Sequence, residues 1–252
     1  MYDISTRERT LALVAQGRSL NSVSKETGIS RAAIRSWHTR LEPRRAGHEC
    51  PRCQGRSGAP RNPAAYAYLL GFYLGDGCIS AGRRGVYALR IVCDNAWPGI
   101  IDACEAAMRE VHPLNRVCRV RKQGCVAVTS FSKHWTCLFP QHGPGKKHER
   151  RIVLEAWQWE IVDAHPWDFV RGLIHSDGCR VINWTTRVIA GERKRYEYPR
   201  YFFTNLSEDV VHLFTRSLDL VGVEWKKANV HNISVARKAS VALMDVHVGP
   251  KY

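Results

Sequence analysis

Acidic residues are scarce in this chain of 252 residues, where 23 Asp and Glu stand against 38 Lys and Arg for a formal net charge of +15. A chain so poor in acid draws polyanions to itself, which makes nucleic acid the leading candidate partner. Long apolar runs are missing too, and without about 20 consecutive apolar residues no helix spans a bilayer. The opening stretch "MYDISTRERTLALV" is too charged for a secretory leader, so the expected location is the cytoplasm. The basic residues are spread along the chain rather than gathered on one amphipathic helix, which disfavours a membrane-surface role. No disulfide framework is visible either, because nine cysteines is an odd number and their spacing follows no pattern. Most of them are expected to be small buried residues. What remains is a composition with 44% hydrophobic and 24% charged residues, that of a globular chain able to bury a core.

The first forty or so residues read as a helical unit. Ser5 and Glu8 have the spacing of a capping box, and Leu11, Val14 and Ala15 follow at helical intervals until Gly17. "LNSVSKET" (Leu20 to Thr27) makes a second short helix, Gly28 the turn, and Ile29 an apolar plug. Ser30 caps a third helix, "RAAIRSWHTRL", with Ile34, Trp37 and Leu41 on one face and Arg31, Arg35, His38 and Arg40 on the others. This pattern resembles a helix-turn-helix module whose third helix enters the major groove, with Arg31, Ala32 and Arg35 nearest the bases. A three-helix interaction domain with a solvated basic face is the alternative. Residues 42–64 are rich in Pro, Gly and Arg and read as a linker. They hold "HECPRC", in which His48, Cys50 and Cys53 are half of a zinc site or, since no second Cys-x-x-Cys follows, a reduced thiol pair.

Beyond the linker two stretches correspond. "YLLGFYLGDGCIS" starts at Tyr68 and "FVRGLIHSDGCRV" at Phe169, and their acids, Asp76 and Asp177, are 177 − 76 = 101 residues apart. A carboxylate at a helix C-terminus opposes the helix dipole, at a cost of about 0.3–1 kcal/mol. Two in matched positions therefore point to a role other than folding. Gly71 and Gly75 in the first stretch, and Gly172 and Ser176 in the second, put small residues on one helix face, so that two backbones can pack closely and bring the acids together. Gly77 and Gly178 suit a left-handed helix end. Two adjoining carboxylates repel and raise each other's pKa, a cost that a divalent cation removes; an all-oxygen donor set favours Mg²⁺. Such a cation can assist phosphodiester hydrolysis. Strands and helices follow each stretch in the same order, helix-strand-strand-helix-strand-strand-helix, so the expected fold class is α+β with a duplicated repeat. The ends agree as well, "QHGPGKK" against "VHVGPKY".

"LLGFYLGDG" (Leu69 to Gly77) and "VRGLIHSDG" (Val170 to Gly178) resemble the paired motifs of single-chain LAGLIDADG (DOD-type) homing endonucleases. The resemblance covers roughly residues 65–252. It implies a pseudo-twofold saddle of two four-stranded antiparallel sheets over double-stranded DNA, with the motif helices at the interface. It implies Asp76 and Asp177 as metal ligands at the scissile phosphates and a lysine late in a repeat, for which Lys238 is the candidate and Lys133 a poorer one. The N-terminal module looks like that of actinobacterial proteins combining both parts. The expected domains are 1–41 (helix-turn-helix), 42–64 (linker), 65–165 and 166–252 (repeats), in a monomer that is a pseudo-dimer within one chain. Arg90, Arg119, Arg121, Arg187, Arg200, Lys227 and Arg237 fall on expected strands, where alternation of apolar and basic residues suits a sheet laid on phosphates. Leu74 and His175 replace the earlier acid of the family name and read as packing residues. Cys78 and Cys179 read as buried. A site-specific, divalent-metal-dependent endonuclease is the first functional expectation. A transcriptional regulator that binds DNA on the same scaffold without cutting is the second, and an RNA maturation factor the third.

Overall fold

The structure is a computed structural model that describes residues 4–39 and 60–252. His48, Cys50, Cys53, Arg40 and Leu41, singled out above, lie outside the described residues. The chain divides into two compact units, Met1–Arg52 and Cys53–Tyr252.

The first unit holds three helices, α1 (Ile4–Ala15), α2 (Leu20–Thr27) and α3 (Arg31–Thr39). Ser5 does not cap α1, since the helix begins at Ile4, before it. Ser19 caps α2 by accepting from the Ser22 N–H, and Ser30 accepts from the Ala33 N–H at the start of α3. Gly28 ends α2 at φ 69°, a left-handed conformation that costs glycine little. Val23, Ile29, Ile34 and Trp37 form the small core, and the Arg7 guanidinium lies over the Trp37 ring. Arg31, Ala32, Arg35 and His38 are exposed on α3.

The second unit is α+β and repeats one element order. The first copy runs α4 (Pro63–Asp76), β1 (Gly77–Ala81), β2 (Tyr87–Asp94), α5 (Pro98–Val111), β3 (Val117–Lys122), β4 (Cys125–Ser132) and α6 (Trp135–Leu138). After a linking helix, α7 (Ala156–Ala164), the second copy runs α8 (Pro166–Asp177), β5 (Gly178–Ile189), β6 (Glu192–Thr204), α9 (Glu208–Leu220), β7 (Lys226–Asn229), β8 (Asn232–Val235) and α10 (Lys238–His247). Each copy makes a four-stranded antiparallel sheet, in the orders β1-β2-β4-β3 and β5-β6-β8-β7. Strand β1 has too little alternation to stand out in the sequence.

The motif helices are the centre of this unit. Every residue of α4 from Tyr66 to Leu74 is buried, as expected for a helix apolar on all sides. It packs on α8, whose Phe169, Val170, Leu173 and Ile174 belong to the same continuous core. Burial of each such side chain contributes about 1.5–3 kcal/mol. The contact is reciprocal. A Cβ at Gly71 would lie 2.5 Å from the Phe169 carbonyl oxygen and 2.8 Å from the Leu173 nitrogen; one at Gly172 would lie 2.1 Å from the Tyr68 oxygen and 3.0 Å from the Phe72 nitrogen. Position for position these are the same contacts, which is the signature of a twofold relation between the helices. His175 is buried at this interface, its Nδ1 2.9 Å from the Tyr68 hydroxyl.

The glycines after the motif acids depart from expectation. Gly77 (φ −84°) and Gly178 (φ −105°) are extended, not left-handed. They are glycine because a Cβ would strike the preceding turn, 2.6 Å from Tyr73 Cα and 2.8 Å from Ile174 Cα. Between β5 and β6 only Ala190 and Gly191, both at positive φ, turn the chain, and Arg193 to Arg195 belong to β6.

Gly172→Ala places a methyl group inside the α4–α8 backbone contact. It is expected to lower the unfolding free energy by ~1–3 kcal/mol, measured by urea denaturation followed through tryptophan fluorescence; unchanged stability would mean that the helices do not meet this closely.

Candidate active site

Because α4 and α8 touch backbone to backbone, their C-terminal residues converge. A Cβ at Gly75 would lie 2.1 Å from Ser176 Oγ and 2.9 Å from Asp177 Oδ2, so the first motif's end touches the second motif's acid. Desolvation by the surrounding protein, and then the charge of Asp177, push the Asp76 carboxyl up to about 6. Asp177 is raised as well, by burial, against the hydrogen bond from Asn205 and the charges of Lys147 and Lys251.

Two lysines answer this concentration of negative charge. Lys147 Nζ donates to the carbonyl oxygens of Tyr73 (2.5 Å), Gly75 (2.5 Å) and Gly77 (2.9 Å) around the end of α4, where the Tyr73 oxygen also accepts the Gly77 N–H. Lys251 Nζ donates to the Ser176 oxygen at 3.0 Å, and Ser176 occupies in α8 the place Gly75 has in α4. Burial lowers Lys147 to about 8 against the pull of both acids, and lowers Lys251 in the same direction. Lys238, the sequence candidate, is instead exposed at the first turn of α10 and is not among the charges acting on either acid. Lys133 follows β4 and is likewise absent from that set. Lys147 and Lys251 stand in the matched ends "GPGKK" and "GPK", which align once two residues are allowed as an insertion.

The halves differ in the residue that faces each acid from the neighbouring strand. Gly77 pairs with Ile91 and Gly178 with Phe203, so two residues farther on Cys93 corresponds to Asn205. Asn205 Nδ2 donates to Asp177 Oδ2 at 2.5 Å. Cys93 is buried and shares a hydrogen bond with the thiol of Cys104 on α5. Beside the acids an open cleft of about 500 Å³ is lined by Gly75, Lys147, Asp177, Asn205, His142 and Arg150, and two buried donors of Arg150, Nε and Nη1, have no partner among the described residues.

Among the described residues no three His, Cys, Asp or Glu side chains converge as a metal cage. The donor set is nevertheless that of a hard divalent cation: two adjoining carboxylates with raised pKa, of which Asp177 lines an open cleft.

Strand parity decides where the other basic residues point, because residues directly opposite in a sheet share a face. Arg90 lies opposite Thr129 and Cys78, away from the helices, and donates to Ser80 Oγ at 2.5 Å. Arg187 lies opposite Lys194 on the corresponding face of the second sheet, and Arg200 on that face stacks on Phe202 and Tyr198. Arg119 and Arg121, by contrast, oppose the buried Val128 and Val126 and so share the helix side. Arg119 is held there by Asp102 and Glu105 of α5. Lys227 opposes the buried Ile233, and Lys226 takes the open face in its place. Arg237 follows β8 and is paired with Glu224. Cys78 and Cys179 are exposed at the starts of β1 and β5, not buried, because the residue after each glycine faces away from the helices.

The sequence matches no protein-family model, and no curated protein matches it. Solved structures do resemble it. A mesophilic variant of the homing endonuclease I-DmoI is 13% identical, with 74% of this chain and 96% of that one covered at a TM-score of 0.48. I-DmoI in complex with DNA and manganese is 13% identical over 75% and 98% of the two chains, with a TM-score of 0.47. The LAGLIDADG meganuclease I-AabMI bound to uncleaved DNA is 10% identical over 74% and 84%, with a TM-score of 0.45. No helix among the described residues is long and apolar enough to cross a membrane.

The raised pKa of Asp76 has a direction in stability. An acid that holds its proton more tightly folded than unfolded contributes stability below about pH 4, and that contribution is lost as the pH rises through about 6. In EDTA the melting temperature of the wild type is therefore expected to fall across this window, and that of Asp76→Asn to fall less; parallel curves would show that Asp76 is not under this strain.

Proposed function

We propose that this chain is a divalent-metal-dependent, site-specific endonuclease of the LAGLIDADG homing type, acting on double-stranded DNA. The observation that carries the reading is the twofold placement of Asp76 and Asp177 at the joined ends of α4 and α8, each motif end bearing its own lysine. The strands of a duplex are antiparallel and related by local twofold axes, so a site with this symmetry presents equivalent groups to one phosphate on each strand. A structural role does not account for two adjoining acids of raised pKa at the unfavourable end of two helices.

The residues divide the work as follows. Asp76 and Asp177 would hold the divalent cation, which when bound supplies charge stabilisation at the phosphate and a more acidic water. Lys147 and Lys251 place positive charge on either side of the acids, where negative charge grows on phosphate oxygens during hydrolysis. Asn205 fixes the orientation of the Asp177 carboxylate. Arg150 offers unpaired donors to a phosphate entering the cleft beside Lys147.

The open faces of the sheets suit the duplex itself. The β5–β6 ribbon, paired over twelve residues against five for β1–β2, has the form of a two-stranded element that a major groove admits. Arg187, Lys194, Tyr196, Tyr198 and Arg200 share its open face. In this reading the three N-terminal helices add a helix-turn-helix contact through Arg31, Arg35 and His38.

Selection from a randomised duplex library, with Mg²⁺ or with EDTA, tests the reading. Mg²⁺-dependent cuts at one recurring sequence are expected, lost by about 10³-fold or more in Asp76→Asn and Asp177→Asn while duplex affinity stays within a few-fold. An enriched bound sequence that is never cut would leave a DNA-binding regulator instead. On the selected site Lys147→Met is expected to slow cleavage by about 10²-fold, and Lys238→Met to leave it unchanged.

A further inference from the structure

The two lysines of the site are held unequally. Lys147 has three carbonyl acceptors, which fix its Nζ without outside help. Among the described residues Lys251 has one, the Ser176 oxygen at 3.0 Å, at the end of a flexible four-carbon stem. A single bond leaves such a side chain many alternatives, so its placement depends on what fixes the backbone beside it.

The next residue supplies that anchor. The Tyr252 main-chain oxygen accepts from the Gly99 N–H at 2.9 Å. Gly99 sits in the first turn of α5, whose N-cap Trp97 offers no side-chain acceptor, so this donor is otherwise left over by the helix. The Tyr252 ring lies on the same residue: a Cβ at position 99 would be 2.0 Å from Cε2 and 2.2 Å from Cδ2. One glycine thus donates to the oxygen and leaves room for the ring, which a side chain at position 99 would displace. On the other side of Lys251 the chain leaves α10 through Gly249, whose N–H bonds back to the Met244 oxygen, and the stiff Pro250. Lys251 therefore spans two fixed points, one at the end of the second repeat and one on α5 of the first.

We propose that Tyr252 is the positioning residue for Lys251, so that the first repeat holds the second repeat's lysine at the acid pair. The consequence for catalysis rests on the endonuclease reading above; the placement itself does not. Undocking of Tyr252 from Gly99 would weaken one half of the site and spare the half served by Lys147.

The test uses the full chain with Tyr252→Ala, Gly99→Leu, which expels the ring without altering the tail, and Tyr252→Phe as the conservative variant. Acylation of lysine amines by acetic anhydride, without metal or DNA, is followed by peptide mass spectrometry. Lys251 is expected to react about five- to tenfold faster in Tyr252→Ala and Gly99→Leu and at the wild-type rate in Tyr252→Phe, with Lys147 unchanged as the internal reference. On a cleaved duplex the first two variants are expected to lower kcat toward that of Lys251→Met with KM little changed, and Tyr252→Phe to restore it. Lys251 labelling that stays at the wild-type rate in both disruptive variants overturns the proposal, whatever the nuclease assay gives. Faster labelling in a protein whose wild type cuts no duplex would remove the endonuclease reading and leave the clamp standing.

Discussion

The backbone contact between α4 and α8 is the constraint on which the rest of the second unit depends. With glycine at 71 and 172 the helices approach until a Cβ on either would overlap the other's carbonyl oxygen. That closeness leaves no choice about where the helices end: Gly75 meets Ser176, and Asp76 and Asp177 become neighbours. It also makes the two repeats one body, since the apolar faces of both motif helices disappear into a shared core. A looser pairing with larger residues would separate the acids and undo the site without unfolding either sheet.

That geometry sets up an electrostatic conflict, and the chain's answer comes from far away in sequence. Each acid sits at the negative end of a helix and beside the other acid, two unfavourable terms that add. Lys147 and Lys251 reach the same helix ends from the last segments of their repeats, satisfying orphan carbonyls and offsetting the carboxylate charge together. The compensation is incomplete, since both carboxyls stay above their ordinary range. Such a residue of strain is what a hard cation would relieve.

The repeats are alike in topology and unlike in detail. Asn205 orients one acid where Cys93 turns toward Cys104 instead, and the β5–β6 ribbon is far longer than β1–β2. One lysine is held by three carbonyls and the other by a clamp across the repeat boundary. Once both copies lie in one chain nothing obliges them to remain identical, and a pseudo-symmetric body can suit a target whose halves differ.

Much of this was legible in the residues themselves. The motifs "LLGFYLGDG" and "VRGLIHSDG" located the two acids and the small residues that join the helices, because helix packing needs a fixed local spacing. The repeat order, the three N-terminal helices and the cap at Ser30 are also local properties. Tertiary structure decided what depends on distant partners. Only the sheet register shows that Arg119 and Lys227 face helices while Lys226 and Lys194 face away, since alternation along a strand gives two faces without saying which is buried. Only the folded chain brings Lys147, Lys251 and Asn205 to the acids, across separations that no spacing rule encodes. Gly77 was recognisable as a required glycine, but the reason, a backbone too near Tyr73 for any side chain, belongs to the fold.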